Sequence, residues 1–239
     1  RLAGLIVPAV PVPHLADLIE GSGGRLPIVA YAGGPLPEGV ATTRQSRDSL
    51  RTMIDYLAVR GRRKIGLVES GAWFEQAGSA ATLEDLLAEY GMRSESRWQQ
   101  LEHPKNPRAM RNVAELLATD PNGPDALILY DDNAVQEAID GIQAAGKCVG
   151  EDIELVVWGN FPWHEEYSAP VKRFGVDMWQ FMRRAKRYID AYRRGENPKP
   201  VIELDTMEGA GVRFQVSGVT DRPTIQRQVE ETLFEKSLS

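Results

Sequence analysis

Few residues in this 239-residue chain have the type and spacing that catalysis needs. Asp131 and Asp132 are adjacent carboxylates, a pair that invites a metal ion or acid/base work. The three histidines, His14, His103 and His164, include no two at the helical spacing that lets two imidazoles reach one metal. There is no Gly-rich phosphate loop of the P-loop kind and no serine elbow of the hydrolase kind. An aspartate just ahead of a helical stretch is an ordinary N-cap, and Asp132 reads that way. The chain is expected to bind rather than catalyse, with no metal and no cofactor.

Composition narrows what it binds. The net charge is −6 and the pI about 5.3, so the chain offers no basic footprint for nucleic acid. The basic run Arg183-Arg184, Lys186-Arg187 and Arg193-Arg194 lacks interleaved aromatics and reads as an exposed helix face. The single cysteine, Cys148, allows no internal disulfide. It fits a reducing cytoplasm and reads as a small, partly buried residue. No apolar run approaches the roughly 20 residues that span a bilayer.

The elements that must position a binding site follow from periodicity. Short apolar runs at 4–7, 27–31, 64–68, 126–130 and 154–158 read as central parallel strands. Stretches of helical period at 47–60, 79–90, 107–118 and 133–145 alternate with them, three ending at Gly61, Gly91 and Gly146. The prediction is an α/β protein with parallel sheets flanked by helices. Beyond it come a Pro- and aromatic-rich loop at 161–170, a long basic helix at 178–194, and alternating strands at 201–204 and 212–216. Residues 224–239 read as a polar tail with a short amphipathic helix.

In such sheets ligands gather outside the carboxyl ends of the strands. That rule selects His14, Tyr31, Trp73, Phe74, Ser79, Asp131, Asn160, Phe161 and Trp163. The aromatics among them that fall in loops could stack on or cover a ring. Trp158 and Trp179 read as packing residues. Arg44 and Arg173 read as solvated surface arginines, or else as cationic contacts for an acidic or phosphorylated ligand.

Met53-Ile54-Asp55-Tyr56-Leu57-Ala58-Val59-Arg60-Gly61-Arg62-Arg63-Lys64-Ile65-Gly66-Leu67-Val68 resembles a recurrent feature of the lac and galactose repressor family. Pro124-Asp125-Ala126-Leu127-Ile128-Leu129-Tyr130-Asp131-Asp132 is similar to another. So are Val149-Gly150-Glu151-Asp152-Ile153-Glu154-Leu155-Val156-Val157-Trp158-Gly159-Asn160 and the opening Leu2-Ala3-Gly4-Leu5-Ile6-Val7-Pro8. The resemblance runs from Arg1 to about Val216. The helix-turn-helix headpiece and the first βαβα stretch of the sensing domain have no counterpart in it.

The resemblance implies a two-lobed, type I periplasmic-binding-protein-like effector domain of a transcriptional regulator. Residues 1–61 would form an incomplete N-terminal lobe and 62–160 the C-terminal lobe. Residues 161–198 would return the chain to the first lobe, and 199–239 would supply second-lobe strands and the tail. Crossings are expected near Gly61-Arg62, within 160–173, and near Lys199-Pro200. Asp131 matches a position where the family often carries a ligand-bonding Asn, and Asn160 one where it often carries Asp; both suit sugar hydroxyls. Ser79 stands where sugar-binding members usually have Arg, and Gln45 where they often have Asp, so the cleft departs from the standard sugar site. The implied partners are a small polar effector such as a sugar, a second copy of the chain, and operator DNA held through an N-terminal headpiece, all in the cytoplasm with no membrane contact. A solute-binding receptor of a transport system shares the same fold.

Overall fold

The computed structural model describes residues 2–8, 12–23, 26–31, 39–45, 49–70, 79–102, 106, 108–162 and 166–211. β1 (Leu5–Pro8), β2 (Ile28–Tyr31), β3 (Val40–Gln45) and β9 (Val201–Leu204) form a four-stranded sheet in that order, every neighbour parallel. A second sheet contains β4 (Ile65–Ser70), β5 (Gln99–Glu102), β6 (Ala126–Leu129), β7 (Glu154–Phe161), β8 (Val171–Asp177) and β10 (Thr206–Gly211). Its order is β10-β8-β7-β6-β4-β5, and only β10 runs antiparallel. Every residue of β2 and β6 is buried, as strands covered on both faces require.

Among the described residues six helices cover these sheets: α1 (Val12–Ser22), α2 (Ser49–Val59), α3 (Ser79–Glu89), α4 (Arg108–Thr119), α5 (Val135–Ala144) and α6 (Met178–Arg193). Leu15 of α1 packs with Val7, Ile28, Ala30 and Val40 on one face of the first sheet. Phe181, Ala185 and Ile189 of α6 join Val29, Tyr31 and Ala41 on the other. On the second sheet, α4 and α5 supply Met110, Ala114, Leu117, Ala138, Ile139 and Ile142 to a cluster with Leu127, Leu129, Leu155 and Val157. The opposite face, with Ile65, Leu67, Ile128 and Val156, packs in the α6 cluster, so one core joins both sheets.

α2 shows why the sequence was readable here. Leu50, Met53, Ile54 and Leu57 recur at the helical spacing and all are buried. Gly61 then adopts φ +76°, a conformation that side-chain-bearing residues rarely hold, and lets the Arg62 N–H bond back to the Leu57 carbonyl at 3.0 Å.

The architecture is the predicted one, but sheet membership differs from expectation at three crossings. α2 packs against β7 and β8 of the second sheet, so the chain leaves the first sheet before Ser49 and not at Gly61-Arg62. β8 extends the second sheet as far as Asp177, so the return comes at the start of α6 and not within 160–173. β9 pairs with β3 in the first sheet, whereas the sequence reading put 199–239 with the second lobe; the last crossing is at Asp205. The strand expected at 212–216 and the tail helix within 224–239 lie outside the described residues.

A polar rivet closes the amino end of β7. Glu154 accepts from Tyr56 Oη at 2.8 Å and from Arg62 Nη2 at 3.1 Å. Arg62 also donates to the carbonyls of Gly150 at 2.9 Å and Glu151 at 3.0 Å. Burial, then the bond to Glu154, pushes the Tyr56 phenol up to about 12. A folded-state pKa above the unfolded value near 10 means that the Tyr56 contribution to stability is whole below about pH 10. It is lost as pH rises toward about 12. Burial likewise raises Tyr188, and the bond to Asp55 raises Tyr90, so ultraviolet titration of the phenolates should show several late-titrating tyrosines, one fewer in Tyr56→Phe; a late phase unchanged by that substitution would contradict the assignment.

Candidate functional site

The carboxyl end of β6 lies beside β7 because the two strands are parallel and in register, Leu129 opposite Val157, and β7 continues past it to Phe161. The chain turns at Asp131, which caps the short 3-10 turn Asp132–Ala134. Asp131 Oδ1 accepts from the Asn133 N–H at 2.9 Å and from Asn133 Nδ2 at 2.7 Å. One carboxylate oxygen is thereby fixed in the turn, and the half-buried side chain stays at the strand edge.

Asp132 is not the N-cap expected of it; Asp131 takes that role. The Asp132 carboxylate reaches across to β7, where Oδ2 accepts from the Asn160 N–H at 3.0 Å, and faces Arg173 Nη2 at 3.4 Å. Two glycines make room for this. A Cβ on Gly159 would lie 2.5 Å from Asp132 Oδ2, and one on Gly175 would lie 1.8 Å from the Gly159 carbonyl oxygen. Only residues without a side chain fit at these two positions.

Arg173 is not a solvated surface arginine. It is 3% exposed, on a strand, with its guanidinium 5.1 Å from the centre of the Phe161 ring. Phe161, read as a loop residue, is the buried last residue of β7. Asn160 is half-buried beside it, and its side-chain amide makes no hydrogen bond among the described residues.

Three polar groups that sequence reasoning missed border the same edge. Ser49 Oγ and Tyr130 Oη are 3.3 Å apart and link the start of α2 to the end of β6. Glu69, 4% exposed, lies near the end of β4, where the Tyr130 N–H bonds to the Val68 carbonyl at 3.1 Å. A lone carboxylate ending the apolar run Lys64-Ile65-Gly66-Leu67-Val68 was the available signal for it.

The remaining candidates divide. Tyr31 ends β2 but is only 8% exposed, its ring 5.7 Å from that of Phe181, as part of the core. His14 lies in α1 and Ser79 opens α3; their side chains lie outside the described residues, as does that of Arg44. Trp73, Phe74 and Trp163 lie wholly outside them. Trp158 is buried as expected, whereas Trp179 is 56% exposed on the first turn of α6. Cys148, read as partly buried, is exposed. Among the described residues no group of three metal-ligating side chains comes together, and no helix is long and apolar enough to cross a membrane. A groove of about 230 Å³ between the turn Ser96–Trp98 and α4, lined by Arg97, Gln100, Leu116 and Asp120, contains none of the candidates.

The site can therefore offer hydrogen bonds of both senses at a strand edge, from Asp131 and Asn160, over a rigid base. No curated protein matches the chain. Its fold is similar to that of a LacI family transcriptional regulator from Bifidobacterium animalis subsp. lactis, with TM-score 0.71 and 19% identity over 87% of this chain and 76% of that one. A regulatory protein of the LacI family from Chloroflexus aggregans gives 0.71 and 15%, over 87% and 75%. A LacI family transcriptional regulator from Arthrobacter sp., in complex with lactose, gives 0.69 and 16%, over 87% and 78%. The family described as the periplasmic binding protein-like domain matches residues 54–204. That span is more than half of the chain and takes in β4 to β9, and the protein belongs to this family.

Proposed function

We propose that the chain is the ligand-sensing domain of a LacI-type transcriptional regulator, binding a sugar or sugar derivative between two lobes. The observation that carries this reading is the carboxyl-edge pair Asp131 and Asn160, anchored through turn and backbone while the Asn160 side-chain amide has no partner among the described residues. One lobe comprises the four-stranded sheet with α1 and α6, the other the six-stranded sheet with α2 to α5. The Arthrobacter regulator of similar fold, bound to lactose, supports the choice of ligand class.

Ligand bound between the lobes favours one arrangement of them over another. Only that difference in affinity can alter how a homodimer presents DNA-binding heads to an operator. The regulator acts in the cytoplasm, where the operator is, and as a sensor rather than as an enzyme. A thermal-shift screen against pentoses, hexoses, sugar acids, sugar phosphates and nucleosides tests this. A ligand at a hundred times its dissociation constant adds about 2.7 kcal/mol, a rise of roughly 5–10 °C for a protein of this size. A shift confined to one compound class is expected; no shift with any class would contradict the reading.

A further inference from the structure

We propose that Arg173 is a positioning residue of the effector site, acting through Asp132 on Asn160. The inference rests on Asn160 being an effector contact, as proposed above. β6 ends at Leu129, but β7 continues to Phe161, so the amide of Asn160 lies beyond the last β6 residue that could pair with it. The Asp132 carboxylate supplies the missing acceptor at 3.0 Å. A carboxylate on a mobile side chain holds a strand edge only if something holds the carboxylate, and Arg173 does so from β8 at 3.4 Å.

Burial strengthens the arrangement. Arg173 is 3% exposed, and in such surroundings an ion pair is less screened by water and salt than on the surface. The guanidinium also rests on the Phe161 ring, and that ring lies close over β10: a Cβ on Gly209 would lie 2.9 Å from Phe161 Cε1. Asn160 is thus held through its own N–H and through the ring of the next residue, and Arg173 touches both restraints. β10 follows directly on β9, so the same clamp connects Asn160 to the segment arriving from the first sheet.

The test is amide hydrogen exchange on the ¹⁵N-labelled chain, comparing Arg173→Met, Arg173→Lys and Asp132→Asn with the parent. Exchange at the Asn160 amide should accelerate at least about tenfold in Arg173→Met and Asp132→Asn, the loss expected when a charge-assisted bond is weakened. Leu127 and Leu155, in the ladder below, should keep their rates, and the Asn160 side-chain NH₂ signals should shift. Arg173→Lys, which keeps the cation, should recover most of the protection. An Asn160 rate within twofold of the parent overturns the inference, as does uniform acceleration along β6 and β7, which marks a merely structural role. A changed Asn160 rate together with a flat ligand screen would instead overturn the effector reading.

Discussion

Gly175→Ala is expected to lower the stability of the protein by about 3 kcal/mol or more, and its Tm by roughly 6–12 °C. The added Cβ would stand 1.8 Å from the Gly159 carbonyl oxygen and 2.7 Å from its carbon. Those are backbone atoms, so no rotamer change relieves the clash and β7 must move away from β8. Gly159 and Gly175 are partners in the ladder, one step before Asn160 and Val176, so any displacement is transmitted to the candidate site. Gly21→Ala is the control. It lies in α1 with nothing among the described residues within 4 Å of the added carbon, and it should be neutral or stabilising by up to about 1 kcal/mol. Urea unfolding of the two variants decides the matter; equal midpoints would show that the strands are not in such close contact.

Glu154→Ala should cost about 3–5 kcal/mol, as when one partner of a buried ion pair is removed. The substitution leaves Arg62, whose side chain is 15% exposed, with one acceptor fewer, and Tyr56 without its acceptor. Arg60 also points at Glu154 at 3.4 Å, but its side chain is half exposed, and Arg60→Ala should cost less than about 1 kcal/mol. Glu154→Gln keeps an acceptor for Tyr56 and loses the charge, so it should fall between them. Chemical denaturation of the three variants gives the order. If Glu154→Ala and Arg60→Ala proved equal, the rivet between α2 and β7 would be a surface pair and not a structural one.

The strongly periodic elements were legible from sequence because burial alone decides them. Leu50, Met53, Ile54 and Leu57 define one face of α2, and the all-apolar Ala126-Leu127-Ile128-Leu129 could be little else than a central strand. β8 was not legible: Val171-Lys172-Arg173-Phe174-Gly175-Val176-Asp177 mixes charge, an aromatic and a glycine. Its charges are accommodated by partners distant in sequence. Arg173 has Asp132, and Lys172 has Glu208 and the ring of Tyr56. Missing β8 misplaced the second crossing, and no local signal revealed that Val201–Leu204 would pair with β3 rather than with the second sheet.

The candidate site was legible in part. Strand ends followed by Asp or Asn identified Asp131 and Asn160, since any parallel sheet places such residues at one edge. The exchange of roles between Asp131 and Asp132 was invisible, because it depends on the gap above Gly159 and on a strand that sequence did not predict. Trp179 shows the converse limit. Its place within a helical stretch suggested packing, but α6 turns Met178, Phe181 and Ala185 inward and leaves Trp179 outside.

The central claim is that effector binds at the edge formed by Asp131 and Asn160. Its most direct test is calorimetric titration, on wild type, Asn160→Ala and Asp131→Ala, of the sugar that gives the largest thermal shift. Each substitution should raise Kd by about tenfold or more, the loss of one or two well-made hydrogen bonds to the ligand, while Tm without ligand stays within a few degrees. An unchanged Kd in both variants would place the ligand elsewhere on the protein and contradict the claim.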